Sequence, residues 1–346
     1  MQRSMLRRAA FAPLLALAVA ACRDDTSAPA AESFATSFDR MWIAFDRDYS
    51  YFDYKGVNWS SIRREARGRV ERVTSDEEFI ALVREVLSSL KDVHVWVMTP
   101  HGGVVATYQP VHRLNWSAAI GALHRRRTGW VDESSAIGYD TIDGIPYIAL
   151  STWSAALFDV QTFDRVLERH RDAPAIILDV RMNSGGDDTR AYRVAGRFTA
   201  SPRVGARYQF RNGPLHNAFT PLTERRVLPR GTWQYTKPVV LLTGRGSWSA
   251  AEGFTSAMRE LPNVTVVGDT TGGGSGNPSV FPLRGGWGVS MSRWIEFTAD
   301  RQVIEWRGIA PDSSVAFSDA GVAAGDDETL RYAVAFATRI GRKRAS

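Results

Sequence analysis

The 346-residue chain carries 43 Lys and Arg against 37 Asp and Glu, a formal charge of +6, and 44% hydrophobic residues with eleven tryptophans. That content suits a large buried core, and the basic residues are dispersed rather than gathered in a stripe, which argues against nucleic acid as a partner. A single cysteine, Cys22, excludes an internal disulfide and any metal site built on several thiolates; neither metal nor cofactor is expected.

In chain order, Arg3, Arg7 and Arg8 precede an apolar run from Ala9 to Ala21, broken only by Pro13. The run is too short to span a bilayer as a mature helix and has the layout of a secretory signal. It ends in Val19-Ala20-Ala21-Cys22, which resembles a bacterial lipobox, so residues 1–21 are expected to be a lipoprotein signal peptide and Cys22 the lipidated new N-terminus. Without the three signal arginines the net charge falls to +3. Residues 22–33, polar and small, are expected to tether the fold to its anchor. The implied location is the bacterial cell envelope, with the protein facing the periplasm or the exterior and touching the membrane through Cys22 alone.

From Phe34 the pattern turns helical: Phe34, Phe38, Met41, Trp42 and Phe45 recur at three- and four-residue spacing. A second helix is predicted near 59–72. A third is announced by Ser75-Asp76-Glu77-Glu78, the layout of a capping box. Residues 34–92 therefore read as an N-terminal helical subdomain. Val93-His94-Val95-Trp96-Val97 alternates as a strand should, and it opens a connecting region, 93–143, whose residues 104–140 show no clear pattern. From 144 to about 340 strands and helices alternate, the mark of an α/β core. Ile145–Leu150, Ala175–Val180, Pro238–Thr243 and Val264–Val267 are the predicted strands, with helices near 157–170, 188–199 and 249–260.

Two loops stand out because each follows a buried strand and opens a helix, where ligands of an open α/β sheet gather. One is Asn183-Ser184-Gly185-Gly186. The other leads through Gly244-Arg245-Gly246 to Ser249-Ala250-Ala251-Glu252. A serine at a helix N-terminus can be an ordinary cap. It can also be a nucleophile, with helix N–H groups placed to hold a developing negative charge. The N–H of Ala250 and one from Gly185 or Gly186 would then form an oxyanion hole.

These segments, in this order, resemble the C-terminal processing peptidases, the family of tail-specific proteases, tricorn protease and interphotoreceptor retinoid-binding protein. The resemblance runs through Phe52-Asp53-Tyr54-Lys55-Gly56-Val57-Asn58-Trp59 and Leu90-Lys91-Asp92-Val93-His94. It continues in Ile177–Gly186, Ser249–Glu252, Val267–Gly272 and Gly308-Ile309-Ala310-Pro311-Asp312. It implies a crotonase/ClpP-like α/β core with Ser249 as nucleophile.

Members of that family use either a lysine 25 residues after the serine or a histidine from the N-terminal region. Here the lysine position is Gly274, and no lysine lies between Lys237 and Lys343. Of six histidines, only His94 falls in a family motif, and an imidazole suits a general base near neutral pH. The resemblance to the tricorn-like members suggests Glu305 as the carboxylate that orients His94, although Val93 replaces the serine those members carry beside their histidine. Asp179 and Asp312 look structural, and Trp248 could shape a pocket or simply pack. About 80 residues separate His94 from the strand at Ile177 and already include core strands, so the peptide-reading PDZ domain of tail-specific proteases has no room there. The sequence therefore reads as a serine peptidase, endopeptidase or carboxyl-terminal type, with a peptide or unfolded protein as substrate. A non-catalytic carrier of apolar ligands and an esterase-like hydrolase remain as alternatives.

Overall fold

The computed structural model describes residues 32–345; the signal peptide, Cys22 and most of the expected tether lie outside the described residues. Four helices come first: α1 (Phe34–Asp48), α2 (Phe52–Lys55), α3 (Trp59–Val70) and α4 (Asp76–Ser88). Their caps follow the local chemistry. Ser33, Asn58 and Ser75 each accept an N–H of the first turn. The box at Ser75 is displaced at one corner, because Glu78 reaches back to the N–H of Thr74 (2.9 Å). The buried face of α1 holds Phe38, Met41 and Phe45, as the spacing predicts. The helices share one core with an antiparallel sheet whose strands run in the order 279–282, 288–291, 96–98, 104–106.

The strand expected at 93–97 starts later, at Trp96. Asp92 accepts the N–H of His94 (2.8 Å) and Val95 donates to the Asp92 carbonyl (3.1 Å), so a side-chain-stabilised turn takes the place of the strand start. His94 thus sits on a turn between the helical layer and the antiparallel sheet.

The core is a seven-stranded sheet: β1 (Val131–Asp132), β2 (Ile137–Ile142), β3 (Ile145–Leu150), β4 (Ile176–Asp179), β5 (Val239–Thr243), β6 (Val264–Gly268) and β7 (Ser313–Ser314). The spatial order is β7-β6-β5-β4-β3-β2-β1. From β3 to β7 neighbours are parallel, while β2 and β1 add an antiparallel edge. The continuous apolar runs of β4 and β5 are buried on both faces because helices cover both sides. One face packs on helices 160–169, 188–195 and 250–259; the other packs on the C-terminal helix Glu328–Ala345. That last helix, the short one at Asp319–Ala324 and the helix Ala118–Arg125 were not foreseen from the sequence.

A buried arginine ties the sheet to the C-terminal helix. Arg181, fully buried just after β4, pairs with Asp179 (2.6 Å) and Asp327 (2.7 Å). Asp179 is structural, as expected, and also accepts from the Tyr147 hydroxyl (2.7 Å). Burial works against the Asp327 carboxylate, yet Arg181 and the His124 ring hold its pKa far below the usual value of 3.8. Its contribution to stability is therefore present above the ordinary carboxylate pKa and lost as pH falls toward the depressed one. Asp327→Ala should cost about 3–5 kcal/mol, because it strands a buried charge. Denaturant unfolding of the variant beside wild type measures that loss, and a cost under about 1 kcal/mol would show the pairing to be dispensable.

Candidate active site

Adjacent parallel strands place the two glycine-bearing loops side by side. The loop after β4 and the loop after β5 are stitched together where Trp248 donates its N–H to the Asn183 carbonyl (3.0 Å) and the Ser247 hydroxyl donates to the Val180 carbonyl (2.7 Å). Ser249 then stands at the N-terminus of the helix Ala250–Arg259 with φ 55° and ψ −121°. An ordinary cap is extended. A non-glycine residue held at positive φ is strained and needs a surrounding structure to keep it there.

That structure is built by Glu252 and a glycine loop. Glu252, fully buried, accepts from the Thr271 hydroxyl (2.6 Å), from the N–H groups of Gly273 and Gly274 (both 2.8 Å) and from the N–H of Ser249 (3.3 Å). Burial raises its pKa to about 7, with Thr271 and the two loop N–H groups acting in the opposite direction. The loop over 272–276 packs so closely that side chains would collide. A Cβ on Gly274 would lie 2.5 Å from Val93 and 2.9 Å from the Trp248 ring, and one on Gly276 would lie 3.0 Å from the His94 Cβ. The position that a lysine base would occupy is therefore filled on both sides.

His94 reaches this corner from the turn before the antiparallel sheet, and its Nε2 lies 3.0 Å from Ser249 Oγ. The other five imidazoles are elsewhere: His124 on Asp327, His216 on Asp46, His112 against Trp248, and His101 and His170 without contact to the serine. Burial pushes the His94 pKa below its usual 6.5, Asp92 pulls it up and Lys55 pushes it down again. A neutral ring with Nε2 free to accept from a hydroxyl is the state a base needs.

Of the three N–H groups that the sequence offers as oxyanion donors, one is spent and two are open. Gly185 donates its N–H to Asn183 Oδ1 (2.9 Å), so its role is close approach instead; a Cβ there would lie 2.8 Å from the Ser249 Cβ. Among the described residues no group accepts from the N–H of Gly186 or of Ala250. The pair expected from sequence thus reduces to Gly186 and Ala250.

Glu305 does not meet His94. Its carboxylate is buried on the Lys55 ammonium (2.6 Å) and the N–H of Ser275 (3.1 Å). Lys55, whose side chain is fully buried, also approaches Asp92 (3.3 Å), and Asp92 in turn accepts from the Tyr49 hydroxyl (2.8 Å) and the backbone of His94. The carboxylate acting on the imidazole is therefore Asp92, with Glu305 one ion pair further back. One ammonium between two buried carboxylates cannot keep both fully ionised. Burial and the Asp92 charge push Glu305 up to about 8, whereas Lys55, the His94 ring and its N–H hold Asp92 below its usual value in spite of burial. The lysine was visible as one of only four in the sequence, but nothing local linked it to residues 37 and 250 positions away. Asp312 accepts from the N–H of Val266 (2.8 Å) and is structural.

A cleft of about 680 Å³ opens beside the Ser249–His94 pair, walled by Trp96, Tyr108, Pro110, His112, Leu114, Met182, Arg245 and Trp248. Much of one wall comes from residues 106–114, within the stretch the sequence pattern left unread.

The profile of Peptidase family S41 matches residues 144–315, and the Tricorn protease C1 domain matches residues 30–88. The chain belongs to the S41 peptidases. Among characterised relatives, the carboxy-terminal processing protease CtpB of Bacillus subtilis is 27% identical over 176 residues, covering 51% of this chain and 35% of CtpB. The matched part thus spans about a third of the length of that relative. A solved Parabacteroides merdae protein regarded as a candidate peptidase superposes with a TM-score of 0.78 at 27% identity, over 88% of this chain and 96% of its own. Mature CPAF shares the fold with a TM-score of 0.68 at 12% identity, over 91% and 98% of the two chains. Membership assigns the chain to the serine-type peptidases, on the α/β core with an N-terminal helical layer expected from its sequence.

Two substitutions probe the corner. Gly274→Lys, which would install the alternative base of other S41 peptidases, should abolish fluorophosphonate labelling of Ser249, since Val93 and Trp248 must move and carry His94 with them. Lys55→Met should cost about 3–5 kcal/mol in denaturant unfolding, because two buried carboxylates lose their shared cation. A cost within about 0.5 kcal/mol would mean that the ammonium contributes nothing net.

Proposed function

We propose that this S41 peptidase hydrolyses peptide bonds by a Ser249–His94 mechanism. The observation that carries the reading is the 3.0 Å approach of His94 Nε2 to a serine hydroxyl held at positive φ. His94 takes the hydroxyl proton as Oγ attacks the carbonyl carbon, and the oxyanion develops between the N–H groups of Gly186 and Ala250. The imidazolium, stabilised by the Asp92 charge, then gives its proton to the leaving amine. Water, deprotonated by the same ring, releases the acid from the acyl-enzyme. Glu305 acts only through Lys55 and Asp92. Substrates are extended peptides or unfolded proteins, which a cleft open to solvent and walled by aromatic groups can seat.

The N-terminal reading is proposed with it: residues 1–21 direct export, Cys22 carries lipid, and the enzyme works at the cell envelope on a short tether. The lipobox-like Val19-Ala20-Ala21-Cys22 supports this.

Casein degradation by the form beginning after Cys22 should be lost in Ser249→Ala and His94→Ala by at least about 10³-fold. Undiminished turnover in Ser249→Ala would end the proposal. Glu305→Gln should reduce kcat less than Asp92→Asn does, because only Asp92 acts on the ring. With pH, activity should hold down to the ordinary imidazole pKa of 6.5 and fall only below it, because burial lowers the pKa of His94; a flat profile to pH 4 would exclude His94 as base. Full-length protein should partition into the detergent phase of Triton X-114, and Cys22→Ser should move it to the aqueous phase.

A further inference from the structure

Ser249 borders a second, smaller cavity that His94 does not line. It holds about 250 Å³, room for about eight waters at ~30 Å³ each. Its walls include Gly186, Ala250 and Gly253, and Glu296 lines it from the neighbouring antiparallel strand Trp294–Thr298.

Glu296 is 3% exposed and takes no part in the chemistry described above. One of its oxygens is spoken for. Ser275 Oγ accepts from the Trp294 indole N–H (3.2 Å) and gives its own proton to Glu296 Oε2 (2.6 Å). The other, Oε1, is buried and has no hydrogen-bond partner. It lies beside Gly253, where a Cβ would come within 3.4 Å of it, and both residues line the cavity. An unsatisfied carboxylate oxygen in such a place is costly unless a ligand or solvent completes it.

The charges around it leave Glu296 without a cation of its own. Arg225 is ion-paired with Asp188 and stacked on the Tyr192 ring, and Asp187 at the rim pairs with Arg190 (3.4 Å). Burial holds the Glu296 pKa up near 7, with Asp188 adding to the rise, while the Ser275 hydroxyl and the more distant Arg225 charge lower it. An incoming cation would favour the ionised form.

The direction of attack says which part of a substrate enters. His94 must hand its proton to the leaving amine, so the amine side of the scissile bond lies toward His94. The acyl side lies toward the oxyanion donors Gly186 and Ala250, which are walls of this cavity. A side chain on the acyl side can therefore reach it. Resting on the peptidase reading above, we propose that this cavity is the primary specificity pocket of the enzyme, and that Glu296 Oε1 selects substrates with lysine or arginine immediately before the scissile bond. Gly253 places no side chain against the carboxylate, and the Trp294–Ser275 pair fixes its orientation.

The test uses fluorogenic peptide amides that differ only in that residue: lysine, arginine, glutamine or norleucine, assayed at pH 8. Wild type should show kcat/KM for lysine or arginine at least about tenfold above norleucine and glutamine, and Glu296→Gln should reduce the advantage to less than about threefold. Glu296→Asp, which keeps the charge on a shorter stem, should retain part of it; thermal unfolding checks that both variants are folded. Equal cleavage of the norleucine peptide by wild type, or an unchanged preference in folded Glu296→Gln, would overturn the assignment. A binding readout separates this from hydrolysis itself: anisotropy of labelled lysine and norleucine peptides on Ser249→Ala. Tighter binding of the lysine peptide by about tenfold supports the pocket even if wild type cuts nothing, and equal or absent binding rejects it.

Discussion

The site depends on one packing constraint, the close fit of the loop over 272–276 between Ser249 and His94. Ser249 belongs to the α/β core, whereas His94 belongs to the turn that follows the helical layer. A hydrogen bond of 3.0 Å between them leaves little tolerance. The loop supplies the registration: Gly272 and Gly274 lie flat on Trp248, Gly274 meets Val93, and Gly276 meets His94. Any of these with a side chain would part the two groups. Glu252 holds the loop down through two N–H groups and a threonine hydroxyl, so one buried carboxyl both fixes the loop and secures the strained serine.

The same corner shows how buried charge is distributed. Lys55 balances Asp92 and Glu305, and its positive charge keeps Asp92 ionised next to the His94 imidazole. Such a network gains little in net stability over an apolar packing of the same volume. Its use is orientation, because the Tyr49 hydroxyl and the backbone of His94, Ser275 and Lys91 supply its members with further hydrogen bonds. The His94 Nδ1 position has no protein partner among the described residues, and the Asp92 charge acts on the ring without a direct side-chain bond.

Two cavities meet at Ser249, and their chemistry differs. The larger is aromatic and open, suited to holding an extended chain by surface contact. The smaller is polar and ends at a buried carboxyl. The division follows from the fold: parallel strands β4 and β5 deliver the two glycine-bearing loops side by side, and the antiparallel strand bearing Glu296 lines the smaller space beside them.

Much was legible from sequence alone because it is local. Apolar runs with turn residues at their ends located β3 to β6, three- and four-residue spacing located α1 and α4, and glycines after buried strands marked both loops. Gly274 at the position where the family resemblance would put a lysine, with none between Lys237 and Lys343, argued against one base with no structure needed. What only the tertiary structure decided are relations between distant residues. Gly185 and Gly186 are equivalent as letters, yet an Asn183 side chain consumes one N–H and leaves the other open. Glu305 falls at a motif spacing that pointed to His94, but Lys55, arriving from 250 residues away, captures it. Alternation at Val93–Val97 signalled a strand, and the Asp92 side chain made a turn of its start. Periodicity records which face of an element is buried; it does not record which buried charge meets which, because that depends on packing between elements far apart in the chain.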